Sequence, residues 1–362
     1  LLIRFRIDGV LHDVLNLPIK LHEQIIFRIK VLSKLKTDEH LSAQDGKMQA
    51  ELENETLDIR VSIVPIVEGE KAVLRLLSSY ARQFSLKELG MSDNDLKTVL
   101  DSIKKSTGMV LATGPTGCGK TTTIYAILKI LNTREVNIST IEDPVEYDIE
   151  GVNQIQVNNK TNLNFAHGLK SILRQDPNII LVGEIRDDET ADIAVNSALT
   201  GHLVLSTLHT NDAATTLPRL IDMKIEPFLV SSTVNLIIAQ RLVRKICTNC
   251  KTTHTIKLED YKNKLDANSI KSIFGTKNSA TLYIGNGCSV CHDSGYSGRI
   301  GVFEILKIDD EISTLIMNKT DSDQIKKIAV QNGMTTMFND ATQKVINGLT
   351  TIDEIIKNIK SD

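Results

Sequence analysis

Through the middle of the chain, short apolar runs alternate with stretches of helical spacing. Residues 109–112 and 179–182 are apolar at consecutive positions, and 137–141 and 203–208 mix apolar residues with Ser and Thr without strict alternation. Between them, residues 121–131, 165–174, 189–199 and 212–222 place apolar side chains three and four apart. Strands hydrophobic on both faces and separated by helices predict a parallel sheet covered on both sides. Before this block the pattern differs. Strand-like stretches at 1–10, 57–67 and 72–77 surround one helical stretch at 21–35, which predicts a smaller α/β domain over residues 1–81. A polar connection at 82–92 contains Gly90, and Ser92 is a plausible N-cap for a helix running to Ser106. The sheet block is expected over 93–246, a cysteine-containing element over 247–298, and a helical region over 299–362 with an amphipathic tail at 313–359. The chain opens on Leu1 inside an alternating stretch, so the first domain is expected to be truncated at its start.

Composition narrows the function classes. The 362 residues are 41% hydrophobic and 24% charged, an ordinary globular balance. A net charge of -3, 4% aromatic residues and no Trp argue against a nucleic-acid-binding surface, although a strand held in a central pore stays possible on these grounds. No apolar run approaches the roughly 20 residues needed to span a bilayer, so a cytoplasmic location is expected.

Candidate chemistry sits at the ends of the apolar strands. Gly114, Pro115, Thr116, Gly117, Cys118, Gly119, Lys120 and Thr121, followed by Thr122, fit G-x-x-x-x-G-K-[ST] directly after a strand and before a helix. Glycines there let successive amides point at a polyphosphate, Lys120 adds a cation for the β- and γ-phosphates, and the Thr121 hydroxyl is a candidate Mg²⁺ ligand. ATP is the expected nucleotide. Cys118 reads either as a redox-sensitive thiol or as an inert loop residue. Two strands end in acids. Glu142, in Ile141-Glu-Asp-Pro-Val-Glu146, is expected to activate water; Glu184, ending an apolar strand after Gly183, is expected to hold Mg²⁺ in place of the Asp more common at position 183. On that reading Glu142→Gln abolishes turnover while sparing ATP binding. His202 and His209 bracket the fourth strand, and His209 reads equally as a γ-phosphate or interface sensor and as a structural residue. Cys247-x-x-Cys250 and Cys288-x-x-Cys291 match a four-thiolate Zn²⁺ site closing a lysine-rich loop, with free thiols or a redox pair as the alternatives.

These residues together resemble the secretion ATPases of type II secretion and type IV pilus assembly. Residues 173–187, with Gly183-Glu184-Ile-Arg186, are similar to that family's Walker B signature; the Glu142 segment resembles its aspartate box, and residues 200–212 its histidine box. Gln44-Asp-Gly46, 58–62 and 69–77 resemble its second N-terminal domain, which is PAS-like, so the likeness covers nearly the whole chain. The resemblance implies a RecA-like motor acting as a homohexamer. Arg60 and Arg75 match positions that reach a nucleotide as arginine fingers, and the two domains are expected to move about the 82–92 connection. It implies inner-membrane platform and cytoplasmic-domain proteins of a secretion or pilus machine as partners, peripheral membrane association through them, and no direct nucleic-acid contact. Pilus-extension and secretion members carry the cysteine element more often than retraction members. Three alternatives remain: a RecA-like nucleic-acid translocase, a DNA-uptake pseudopilus motor, and a non-hydrolysing scaffold ring, the last opposed by the intact Lys120, Thr121, Glu142 and Glu184.

Overall fold

The structure, a computed structural model, describes residues 1–51, 56–77 and 84–359. It divides into two compact units, Leu1–Phe84 and Ser85–Asp362. Positions 82 and 83 of the expected connection lie outside the described residues.

In the first unit, β1 (Leu2–Ile7) pairs antiparallel with β2 (Val10–Asn16). The alternation over residues 1–10 predicts one strand; the chain instead reverses at Asp8-Gly9, whose φ angles of 49° and 88° match the two-residue turn that suits twisted hairpins. Next come α1 (His22–Leu32), β3 (Gln44–Glu51), β4 (Thr56–Ile66) and β5 (Gly69–Leu77), the three strands forming an antiparallel sheet in the order β3-β4-β5. Ile59, Val61 and Ile63, at alternate positions of β4, bury one sheet face against Ile26 of α1. Lys30 of α1 is completely buried. Its amine lies 2.7 Å from the Glu70 carboxylate of β5 and donates to the Glu39 carbonyl at 2.6 Å.

The second unit opens with α2 (Asp93–Ile103), where Ser92 accepts from the Asp95 amide as its N-cap. There follow β6 (Gly108–Thr113), α3 (Lys120–Leu131), β7 (Ile138–Glu142), β8 (Val152–Gln156), α4 (Phe165–Ile172), β9 (Ile179–Val182), α5 (Asp188–Leu199) and β10 (Leu203–Leu208). After them come α6 (Thr216–Asp222), α7 (Pro227–Thr233), β11 (Val234–Ile246), β12 (Lys251–Lys257), α8 (Ala267–Phe274), β13 (Ser279–Gly285) and β14 (Tyr296–Lys307). Four helices close the unit: α9 (Asp310–Met317), α10 (Ser322–Gln331), α11 (Met337–Ile346) and α12 (Ile352–Asn358). Among the described residues one seven-stranded sheet has the order β14-β11-β6-β10-β9-β7-β8. All its pairings are parallel except β11 with β14. Consecutive strand residues feed opposite cores: Met109 and Leu111 join Leu169, Ala194 and Val195 of α4 and α5, whereas Val110 and Ala112 join Ile124, Ile127 and Val99 of α3 and α2. Hence Met109–Ala112 is apolar at every position. β14 spans the sequence position where the cysteine element was expected to give way to helices, and it lines the sheet edge beside β11.

Because the strands are parallel, Thr113, Glu142, Val182 and Leu208 all end at one edge of the sheet. Open α/β sheets place their ligand crevices at that carboxyl edge.

Candidate active site

The phosphate loop leaves β6 at that edge and enters α3. Gly114 has a φ of 144°, and a Cβ there would lie 2.6 Å from both the Cys118 sulfur and the Gln240 carbonyl, so only glycine fits. Gly119, also at positive φ, caps α3. Lys120 is nearly buried and donates to the carbonyls of Gly114 (2.8 Å) and Pro115 (3.2 Å); burial pushes its amine below the ordinary lysine range. A buried ammonium held by carbonyls alone, at a helix N-terminus lined with glycine amides, fits a polyphosphate. Pro115, Thr116, Gly117 and Thr121 are exposed and Thr122 half-buried. Cys118 is buried, and burial raises its thiol pKa, which suits an inert residue better than a redox switch.

Glu184 follows β9 and is the hub of the edge. The Arg186 guanidinium lies 2.5 Å from one of its oxygens and His209 Nε2 3.3 Å from the other. That contact with Glu184 raises the Arg186 pKa. The charge of Glu184 also reaches Lys120. Thus Lys120, Glu184 and His209, distant in sequence, share one edge. His202 does not join them, because its Nδ1 bonds the Ser197 carbonyl at the end of α5. Gly183 has a local reason: a Cβ there would sit 3.3 Å from the Glu142 Cα and the Ile141 carbonyl, so the Asp that other P-loop enzymes carry would require the end of β7 to shift by a few tenths of an ångström.

Glu142 is turned inward. Its carboxylate, 3% exposed, accepts from Thr140 (2.6 Å), from Gln154 (3.2 Å) and from the Tyr125 hydroxyl of α3. Burial first, then the Glu142 charge, raises the Tyr125 pKa, so the phenol stays a donor. The Tyr125 oxygen also accepts from the Glu146 amide at 3.3 Å. An acid that is 3% exposed and already accepts from three donors has most of its acceptor capacity taken and little access to a water in this arrangement.

Arg60 and Arg75 belong to the first unit and face each other across β4 and β5. Residues that sequence reasoning missed are Tyr125, Arg186, Gln240 and Arg241. A signal existed for the last two: Gln240-Arg241 interrupts the long apolar run of β11. For Tyr125 the signal is helical spacing, since it lies four residues after Thr121.

The profile of the family described as type II/IV secretion system protein matches residues 1–357. The chain belongs to this family. It is 45% identical to the type II secretion system protein E of Pseudomonas aeruginosa over 99% of this chain and 69% of that protein. It is 43% identical to the type IV pilus assembly ATPase PilB of Myxococcus xanthus over 99% of this chain and 63% of that protein. The crystal structure of the pilus retraction motor PilT with bound ADP superposes with a TM-score of 0.67 at 25% identity, covering 98% of this chain and 89% of that one. This member of the family is a P-loop ATPase of the secretion and pilus-assembly kind, with the RecA-like sheet described above.

The secretion ATPase carries a second cluster away from the loop. Cys247 and Cys250 follow β11, Cys288 and Cys291 follow β13, and their four sulfurs lie within 4.8 Å of one another. Separations of 3.9 Å (Cys247 to Cys288), 3.8 Å (Cys250 to Cys291) and 3.6 Å (Cys288 to Cys291) match the ~3.8 Å edge of a tetrahedron with Zn–S bonds of about 2.3 Å. Donation from the Asn249 amide, then from backbone amides, lowers the Cys288 thiol to about 6, whereas burial pushes the Cys250 thiol up to about 12 while no cation is present, so the sulfur spacing rather than the acidity carries the metal-site reading. The cluster is able to hold a metal ion. Among the described residues no helix is long and apolar enough to cross a membrane.

Proposed function

We propose that the chain hydrolyses ATP to drive pilus or pseudopilus assembly, as a ring of identical copies working with membrane-bound machinery. The observation that carries the reading is the convergence of Lys120, Glu184 and His209 at one sheet edge, in a chain more than 40% identical to secretion and pilus-assembly ATPases alike. The glycine-rich loop and Lys120 hold the polyphosphate. Thr121 and Glu184 hold Mg²⁺, which supplies positive charge where negative charge builds on the departing phosphoryl group. Arg186 and His209 orient the Glu184 carboxylate and neutralise it while no cation is bound. Arg60 and Arg75 act on a nucleotide held by another copy, and the four cysteines hold a structural Zn²⁺, four ligands leaving no open position for catalysis. Inner-membrane platform proteins are the partners in this reading.

The water-activating acid needs a second reading. Base duty for Glu142 requires its carboxylate to leave three donors. Glu146, half-buried and four residues along the same segment, is the better base, with Glu142 and Tyr125 holding that segment in place.

The test is Mg²⁺-dependent phosphate release from ATP by the full chain. Turnover is expected in the parent and absent in Lys120→Ala. Glu146→Gln is expected to abolish turnover with ADP binding retained, and Glu142→Gln to slow it less; the reverse order restores Glu142 as base. Stimulation by DNA without stimulation by membrane-platform protein would replace the assembly motor with a nucleic-acid translocase.

A further inference from the structure

The phosphate loop has a neighbour that the P-loop pattern does not include. β11 runs parallel to β6 with Ala239 opposite Thr113, so the next two residues, Gln240 and Arg241, emerge beside Gly114 at the carboxyl edge. Gln240, 1% exposed, donates through its side-chain amide to the Cys118 carbonyl at 2.7 Å, while its side-chain Oε1 finds no hydrogen-bond partner. One guanidinium nitrogen of Arg241 lies 3.1 Å from where a Gly114 side chain would begin. Its hydrogen bonds go to carbonyls alone, those of Gln240 (3.1 Å) and Asn211 (2.8 Å).

The electrostatics of this place are unbalanced. Arg241 is half-buried, and among the described residues no carboxylate lies within ion-pairing distance of it. Asp212 and Glu304 act on it only at longer range, together with the buried Cys118; loss of solvent, the largest influence, lowers its pKa. Lys120, its cationic neighbour across the loop, is in the same state, desolvated and held only by carbonyls. Two desolvated cations on either side of one glycine loop, hydrogen-bonded to carbonyls and reached by Glu184, Asp212 and Glu304 only at longer range, carry an electrostatic cost that an anion between them reduces. Guanidinium geometry suits a phosphate, since its planar fork offers paired donors.

We propose that Arg241 is a phosphate-binding residue contributed in cis: it closes on the polyphosphate from the β11 side of the loop while Gln240 latches the loop through Cys118. The proposal rests on the phosphate-cradle reading above and adds a cation to it. Arg241 thereby ties nucleotide occupancy to the segment after His209, because the same guanidinium holds the Asn211 carbonyl.

The experiment measures ADP affinity of the full chain by calorimetry, with each variant's melting midpoint recorded with and without ADP. Arg241→Gln is expected to weaken ADP binding about tenfold or more, the range for a lost hydrogen bond to a charged group, and to shrink the ADP-induced midpoint shift relative to its own ligand-free state. Arg241→Lys, which keeps charge without the fork, is expected to fall between. ADP affinity within about twofold of the parent in Arg241→Gln overturns the proposal and leaves Arg241 a strut for the Asn211 segment. If Arg241→Gln does not fold, Arg241→Lys decides: weakened ADP binding with an unchanged ligand-free midpoint supports the contact, and unchanged affinity overturns it. Failure of the parent to bind ADP would instead sink the cradle reading itself, with Lys120→Ala as its reference.

Discussion

The two units are held together differently. In Ser85–Asp362, two extended apolar cores lie on opposite faces of one sheet, and β6, β7, β9 and β10 are buried at every position. In Leu1–Phe84 the apolar core is Ile26, Ile59, Val61 and Ile63, and a buried Lys30–Glu70 ion pair lies beside it. Most of the exposed large apolar side chains, among them Leu2, Phe5, Leu11, Phe27 and Leu76, belong to this shorter unit. A small unit buries a smaller share of its surface and has less apolar stabilisation to spare. The motor unit is therefore able to carry strained and charged loops at its edge, whereas the first unit depends on a few polar contacts being intact.

Four experiments would break or sharpen that contrast. The largest effect is expected inside the motor unit, at the β12–β13 region that the four cysteines close. Stripping metal with a chelator, or Cys288→Ser, should remove one zinc per chain in native mass spectrometry and unfold the β12–β13 region, since structural sites of this kind contribute on the order of 10 kcal/mol to what they close. Hydrogen exchange should rise there and hold steady in β6 and β10; an unchanged exchange pattern would show that the region stands without metal. Next comes the buried pair. Lys30→Ala leaves the buried Glu70 carboxylate with His40 as its remaining ion-pair partner, at a cost of up to about 3–5 kcal/mol, enough to open the first unit while β6 and β10 keep their protection. Although burial alone would raise the Glu70 pKa, hydrogen bonds from Lys30 and His40 bring it below the unfolded value of 4.5. The pair's contribution is thus present above pH 4.5 and fades as pH falls through the lower folded value, so the first unit should melt earlier on acidification. Simultaneous loss of protection in both units would contradict the contrast.

Tyr125→Phe ranks third. It removes a donor from the buried Glu142 carboxylate and an acceptor from the Glu146 amide, at roughly 1–3 kcal/mol. The expected signature is lower kcat with KM near the parent's, because the acid segment shifts while the loop does not; a change in KM alone would argue for a role in binding. Smallest is Ser92→Ala, which removes the N-cap of α2 and should cost about 1 kcal/mol in the denaturant midpoint of the motor unit.

Particular residues show how much was legible beforehand. Ile179–Val182 and Leu203–Leu208 stand at their predicted limits, because a strand buried on both faces is written without strict alternation, its buried Ser206 and Thr207 hydroxyls donating to the Val182 and Gly183 carbonyls. β3 went unpredicted for the opposite reason: QDGKMQAE has one half-buried face and little apolar character. The turn at Asp8-Gly9 was readable as a turn signal but was overridden by the alternation on both sides of it.

By itself the sequence determined the phosphate loop, the two pairs of cysteines, the strand-end acids and histidines, and the family. Each of these is a short string whose chemistry depends on residues adjacent in the chain. Only the tertiary structure decided where the side chains point. It sealed Glu142 against Tyr125, Thr140 and Gln154, brought Arg186 and His209 onto Glu184, and carried Arg241 across more than a hundred residues to the loop. It also brought the paired cysteines to tetrahedral spacing, 41 residues apart in the chain. The physical reason is range: hydrophobic periodicity and loop geometry are set within a few residues, whereas the direction and partners of a polar group at a sheet edge are set by which strands lie side by side.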